Sequence, residues 1–276
     1  MNSRKFYLAL VNLIVAALLL GACGTPTAAP TVVPPTATAT AIPPTATHTA
    51  IPPTNTPVPP TATPEPTATP DMTATAEGIA TATATAAIAQ INEELKEYGL
   101  TTDGGYLGWM QDSMTIKVDT YMEQKQQTNY PDMNIADFVL QADMTWETST
   151  GLAGCGFVFR SESNLDRGKQ YRVYIVRLQN LPLWGLAYFN HGEGTPLTDE
   201  IFTSTSALDT SQGSTNRITI IALGNKLSVY ANGDQLGAFN HDKASQGIVA
   251  YMAFQESGKT TCTFTDSWLW VLKGEA

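Results

Sequence analysis

Residues 216–254 carry the clearest pattern in the chain, four short runs in which apolar side chains recur at every second position. Ile218, Ile220 and Ala222 alternate with Thr219, Ile221 and Leu223; after Gly224-Asn225 the alternation resumes, with Leu227, Val229 and Ala231 against Ser228 and Tyr230. A period of two sets the two groups on opposite sides of a pleated strand. Asn232-Gly233 follows, a pair that tolerates positive φ, and predicts a tight hairpin returning the chain through 235–240. A polar loop over 241–246 leads to a fourth strand at 247–254. Such a meander cannot bury its apolar side alone, so more strands and a second sheet are expected upstream.

The same signal recurs over 100–273, a stretch long enough for one domain with a substantial core. Strands are predicted at 115–123, with Ile116, Val118 and Met122 on one side, and at 136–147, 155–160, 170–178, 183–190 and 260–272. In 136–147, Phe138, Leu140, Ala142, Met144 and Trp146 point one way, while Gln141, Asp143, Thr145 and Glu147 point the other. One face is therefore buried and the other meets water. In the last run Phe264, Trp268 and Trp270 share a side and read as core. About ten strands without a helical period make this an all-β, antiparallel two-sheet sandwich.

Upstream the pattern changes. Over 72–99, Ile88, Ile91, Leu95 and Tyr98 fall at helical spacing and Gly99 stops the helix. The stripe is one residue wide, which predicts light packing on the domain or on a partner's copy, and the threonines to about residue 84 predict fraying. Before it, 24–71 is almost wholly Thr, Pro and Ala, and 14 of the 17 prolines lie between Pro26 and Pro70. With so few large apolar side chains nothing offsets the backbone entropy, so residues 23–71 are expected to form a disordered stalk biased to polyproline II. Mostly extended, it would reach on the order of 100 Å. Residues 1–22 begin with Arg4-Lys5 and continue with an apolar run over 6–20 broken only by Asn12, the layout of a secretory leader.

Leu20-Gly21-Ala22-Cys23 resembles the lipobox of bacterial lipoproteins. That resemblance implies cleavage before Cys23, a diacylglyceryl thioether on its sulfur, and a protein anchored to the membrane and facing outward in a bacterial cell envelope. Several acyl chains together anchor stably where one does not.

In the folded part, DFVLQADMTW, GCGFVFRSESN, YRVYIVRLQN, ITIIALGNKLSVYANGDQLGAF, QGIVAYMAF and TFTDSWLWV resemble the concanavalin A-like lectin and glucanase jelly rolls, which include laminin G-like and 3-keto-disaccharide hydrolase-like domains. The resemblance covers about 138–272 and implies a jelly-roll sandwich. It implies no single activity, because the group includes binding modules, hydrolases and spacers. With Cys23 set aside, Cys155 and Cys262 are an even pair in an oxidising compartment. The resembling folds place an early strand near the closing one, which implies a disulfide between them; the alternative is two buried thiols.

The candidate chemistry favours binding. A retaining glucanase needs two carboxyl groups about 5 Å apart, as in Glu-x-Asp-x-Glu, and that motif is absent. Neither His191 nor His241 completes a catalytic triad, and no third ligand stands near either for a metal. A formal net charge of −10 argues against nucleic acid. What remains is an aromatic and polar set on three consecutive strands: Arg160, Tyr171, Arg172, Tyr174, Arg177, Trp184, Tyr188, Asn190 and His191. Such side chains on one sheet face stack on sugar rings and hydrogen-bond their hydroxyls. The expectation is a carbohydrate or envelope-ligand module without cofactor; a glycoside-processing enzyme and a spacer or protein-interaction domain are the alternatives.

Overall fold

The computed structural model describes residues 72–149 and 151–273, with side chains from residue 84 onward. The leader, Cys23 and the Thr/Pro stretch lie outside the described residues.

One helix, α1 (Met72–Lys96), precedes thirteen strands: β1 (Tyr106–Val118), β2 (Gln124–Gln127), β3 (Phe138–Thr148), β4 (Leu152–Ser161), β5 (Gln170–Leu178), β6 (Leu181–Asn190), β7 (Glu193–Pro196), β8 (Thr203–Ser204), β9 (Thr215–Leu223), β10 (Lys226–Ala231), β11 (Asp234–Asn240), β12 (Ile248–Gln255) and β13 (Thr260–Val271). They form two antiparallel sheets, β1-β13-β3-β9-β10-β11 and β2-β12-β4-β5-β6-β7, with β8 beside β6. This is an antiparallel two-sheet β-sandwich of jelly-roll type. Alternation builds the core between the sheets. Phe138, Leu140, Ala142, Met144 and Trp146 meet Phe157, Phe159 and Tyr251 from the facing sheet. Cys155 on β4 and Cys262 on β13 are joined by a disulfide, Cα to Cα 5.8 Å, which ties one sheet to the other.

Asn232 and Gly233 have φ of 51° and 90°, the two positive values that a two-residue hairpin with the twist of its strands requires. The hairpin stays in the first sheet, but β12 does not continue the meander. It crosses into the second sheet between β2 and β4. The strand expected over 115–123 instead ends at Val118, and Met122 sits in the following turn at φ 53°. Its true start lies nine residues earlier than expected, at Tyr106, where a register shift between Leu107 and Trp109 breaks the alternation.

A second register shift corrects the reading of β13. Between Thr265 and Trp268 the pairing with β3 slips, with Asp266 at φ 46°. An extra residue on one strand inverts the parity beyond it. Phe264 therefore lies in the inter-sheet core, whereas Trp268 and Trp270 point out of the sandwich and are buried beneath α1.

The helix packs on its own domain and runs back through the threonine-rich segment to Met72. Ile91 and Leu95 are fully buried against Val139, Ile221, Trp268 and Trp270, while Ile88 remains 37% exposed. Polar contacts fix the register. Glu94 Oε2 accepts from Trp268 Nε1 at 2.9 Å and also from Gln141 Nε2. Thr219 Oγ1 donates to Gln141 Oε1 at 3.0 Å and shares a 2.9 Å bond with Tyr98 Oη. Gln141, expected to face water, is thus buried under the helix. At the C-terminus Leu100 N–H donates to Leu95 C=O across Gly99 at φ 71°, a left-handed cap that turns the chain off the helix.

Candidate functional site

The aromatic and arginine set on β4, β5 and β6 does not share a face. Successive residues of a strand point to opposite sides. Tyr171, Trp184 and Tyr188 consequently face the inter-sheet core, while Arg172 and Tyr174 lie on the outer side of the second sheet. Trp184 is 3% exposed and packs on Phe239 at 6.0 Å. Tyr174 is covered by Phe254, Phe202 and Phe189, and the Arg172 guanidinium lies 4.0 Å over the Phe189 ring. Arg177 donates to Thr210 C=O and Asn180 Oδ1, and Asn190 and His191 are exposed at the β6–β7 turn.

Three members of the set do meet, at one end of the sandwich. Tyr171 Oη shares a 2.8 Å bond with His241 Nδ1 and accepts from Ala244 N–H, and the Tyr188 ring lies 5.3 Å from His241. Burial raises the Tyr171 pKa and lowers that of His241. Arg160 is 1% exposed; its guanidinium donates to Ala136 C=O, Ala244 C=O and Asp137 Oδ1. Burial lowers its pKa while Asp137 opposes that fall. Arg160 and Tyr171 therefore fasten the β11–β12 crossover, a structural task.

The exposed polar surface is elsewhere, on the outer side of the first sheet. There α1 covers one half, and the other half is open. Pairing registers arrange the open half in rows across the strands. Thr215, Thr145, Thr263 and Thr115 form one row, Arg217, Asp143, Thr265 and Ser113 the next. Where this terrace meets α1 there is a groove of about 400 Å³, lined by Glu97 and Tyr98 from the helix end, Asp143, Thr215, Arg217, and the Asn232-Gly233 turn.

Arg217 is the centre of the groove. Its Nε and Nη2 donate to the two carboxylate oxygens of Asp143 at 2.8 and 3.2 Å. That fork-to-fork pair holds the guanidinium flat and raises its pKa. Nη1 is left without a partner among the described residues. Asn232 braces the floor: Oδ1 accepts from Arg217 N–H, and Nδ2 donates to Ala207 C=O and Asn216 Oδ1. Tyr98 stands at the wall, edge-on to Tyr230 at 4.8 Å, its pKa raised by burial.

Such a site presents fixed donors and acceptors and no nucleophile poised against a base. Among the described residues no group of three or more His, Cys, Asp or Glu is placed to hold a metal ion. Sequence reasoning marked Asp143 and Thr145 as outward-facing but passed over Arg217, whose partner is 74 residues away.

No protein-family model matches the sequence, and no curated protein matches it either. Among solved structures the chain is similar to the carbohydrate-binding module CBM66 from Bacillus subtilis, at 15% identity and a TM-score of 0.45 over 60% of this chain and 94% of that one. It is similar also to a Bacillus subtilis protein of unknown function with a galectin-like fold, at 10% identity and TM-score 0.43 over 62% and 88% of the two chains. A third is the Bacillus licheniformis β-glucanase, at 10% identity and TM-score 0.40 over 63% and 100%. At these values the likeness says nothing of the site, which is read from its own residues.

Proposed function

We propose that this protein is a lipid-anchored bacterial surface protein whose sandwich binds carbohydrate through the Arg217 groove and the adjoining terrace. The observation that carries the reading is the bidentate Arg217–Asp143 pair, held flat beside open rows of hydroxyls with no catalytic pair facing them. A planar guanidinium with a free N–H and ranked hydroxyls matches the vicinal diols of a sugar. Binding of the full-length protein, solubilised in detergent, to a glycan array tests it. Arg217→Ala is expected to weaken retention by about tenfold or more, as a central contact should, and to leave the unfolding free energy within about 1 kcal/mol of wild type because the pair is surface-exposed. Turnover of a bound glycoside, or retention unchanged by the substitution, would overturn the reading.

The anchoring half of the proposal rests on Leu20-Gly21-Ala22-Cys23 after a charged and then apolar leader. Cys23→Ser is expected to leave the protein unprocessed or to release it from the membrane fraction. A wild-type N-terminal peptide without added lipid mass would count against it.

A further inference from the structure

We infer that the ligand of this face is an electrically neutral, extended polysaccharide lying across the strands from the Arg217 groove to the β1 edge. This rests on the carbohydrate reading and narrows it.

The first argument is charge. The terrace and groove carry two cationic side chains, Arg217 and Lys117, against three carboxylates, Asp143, Glu147 and Glu97. Arg217 is already neutralised by Asp143 in a two-point contact. Lys117 lies in the same cross-strand row as Thr261 and Glu147. Lys117 is the one cation there without an ion pair among the described residues, so a uronate or a sulfate meets a single lysine on a face that is net negative, and the chain as a whole has a formal net charge of −10. A polyanion brought to this surface meets repulsion, whereas a neutral polyol does not.

The second argument is the arrangement of hydroxyls. Thr145 and Thr215 share a 2.6 Å bond, and Thr115 and Thr263 a 3.4 Å contact. Each hydroxyl has one hydrogen to donate and two lone pairs to accept, so a pair that satisfies itself through one bond still offers acceptors, and one donor, outward. The row of four crosses β9, β3, β13 and β1 in pairing register. At the usual strand spacing of about 4.8 Å it spans roughly 14 Å. That spacing is near the advance per residue of an extended β-linked pyranose chain, so one hydroxyl position recurs for each sugar unit. Such a track suits a chain of about four units, with the groove taking one end.

The test uses full-length protein in detergent micelles, immobilised polysaccharides, and short oligosaccharides of the best binder. The neutral set is β-glucan, xylan, mannan and chitin; the anionic set is alginate, polygalacturonate and chondroitin sulfate. Retention by a neutral chain and none by the anionic set, at low salt, is expected. A tetrasaccharide is expected to bind about tenfold more tightly than its disaccharide, and the double substitution Thr145→Val with Thr263→Val, which keeps the β-branched shape, to lose about tenfold. Retention by the anionic set alone would overturn the inference and leave the carbohydrate reading standing. Binding of a neutral chain that ignores both chain length and the valine pair would overturn the track. No retention by either set would overturn the carbohydrate reading itself.

Discussion

Replacing Cys155 and Cys262 together with alanine is expected to lower the unfolding free energy by about 4 kcal/mol. The two cysteines are separated by 107 positions, and a cross-link closing a loop of that length removes about 4 to 5 kcal/mol of denatured-state entropy in the chain-entropy account. Both sulfurs are fully buried in the inter-sheet core, so the alanine pair also leaves a space there. Urea titrations of the wild type and the alanine pair give the difference directly. Dithiothreitol should leave the native wild-type protein oxidised and lower its midpoint only once the chain opens. Equal midpoints for the two proteins would show that the bridge does not restrain the unfolded chain.

Arg160→Met is expected to cost about 3 kcal/mol. The guanidinium is 1% exposed and joins three segments: the entry to β3 at Ala136 and Asp137, the crossover at Ala244, and, through Asp137 Oδ1 and Gly224 N–H, the β9–β10 turn. Methionine fills much of the volume but leaves two carbonyl groups and a largely covered carboxylate without their donor. Removing one partner of a buried, hydrogen-bonded ion pair is costly for that reason, and the partial exposure of Asp137 places the loss at the lower end of the usual range. A thermal melt of Arg160→Met measures it, and a companion Asp137→Asn variant, which keeps an acceptor for the guanidinium, is expected to lose less. If Arg160→Met melted with the wild type and failed only in glycan binding, the arginine would belong to a ligand site after all.

The two arginines show what was legible in the sequence. Alternation along single strands was: the inward faces of β3, β9 and β10 stand where period two puts them, and the Asn-Gly hairpin follows from two adjacent residues. Whatever depended on pairing between distant segments was not. The register slip at Asp266 inverts a parity that looks continuous along FTDSWLW, so Phe264 and Trp268 part company although four residues apart. The ligand set gathers suitable residue types over three consecutive strands, and alternation already divides it between the two faces of the sheet; Tyr171 and Tyr174 end on opposite sides. Arg217 was missed for the converse reason. Nothing local marks it, because its meaning comes from Asp143 beside it in the register of β3 and β9.

The docking of α1 has a mechanical consequence. Its buried contacts are concentrated near its C-terminal end, at Ile91, Leu95 and Tyr98, whereas most residues over 84–90 are exposed. Over 84–90, about 10 Å at the usual rise per residue, the helix therefore projects past its docking contacts as an arm. A pull delivered at Met72 acts on that arm before it reaches any strand, with the Glu94 contacts to Trp268 and Gln141 as the fulcrum. The strands behind it are laced by long antiparallel ladders and a covalent bridge, and shearing them means breaking many bonds at once. Peeling the arm breaks its few contacts in turn. The weakest link in the line of force thus lies outside the sandwich, and when it yields it carries Glu97 and Tyr98 away from the groove, so that tension and grip are geared together.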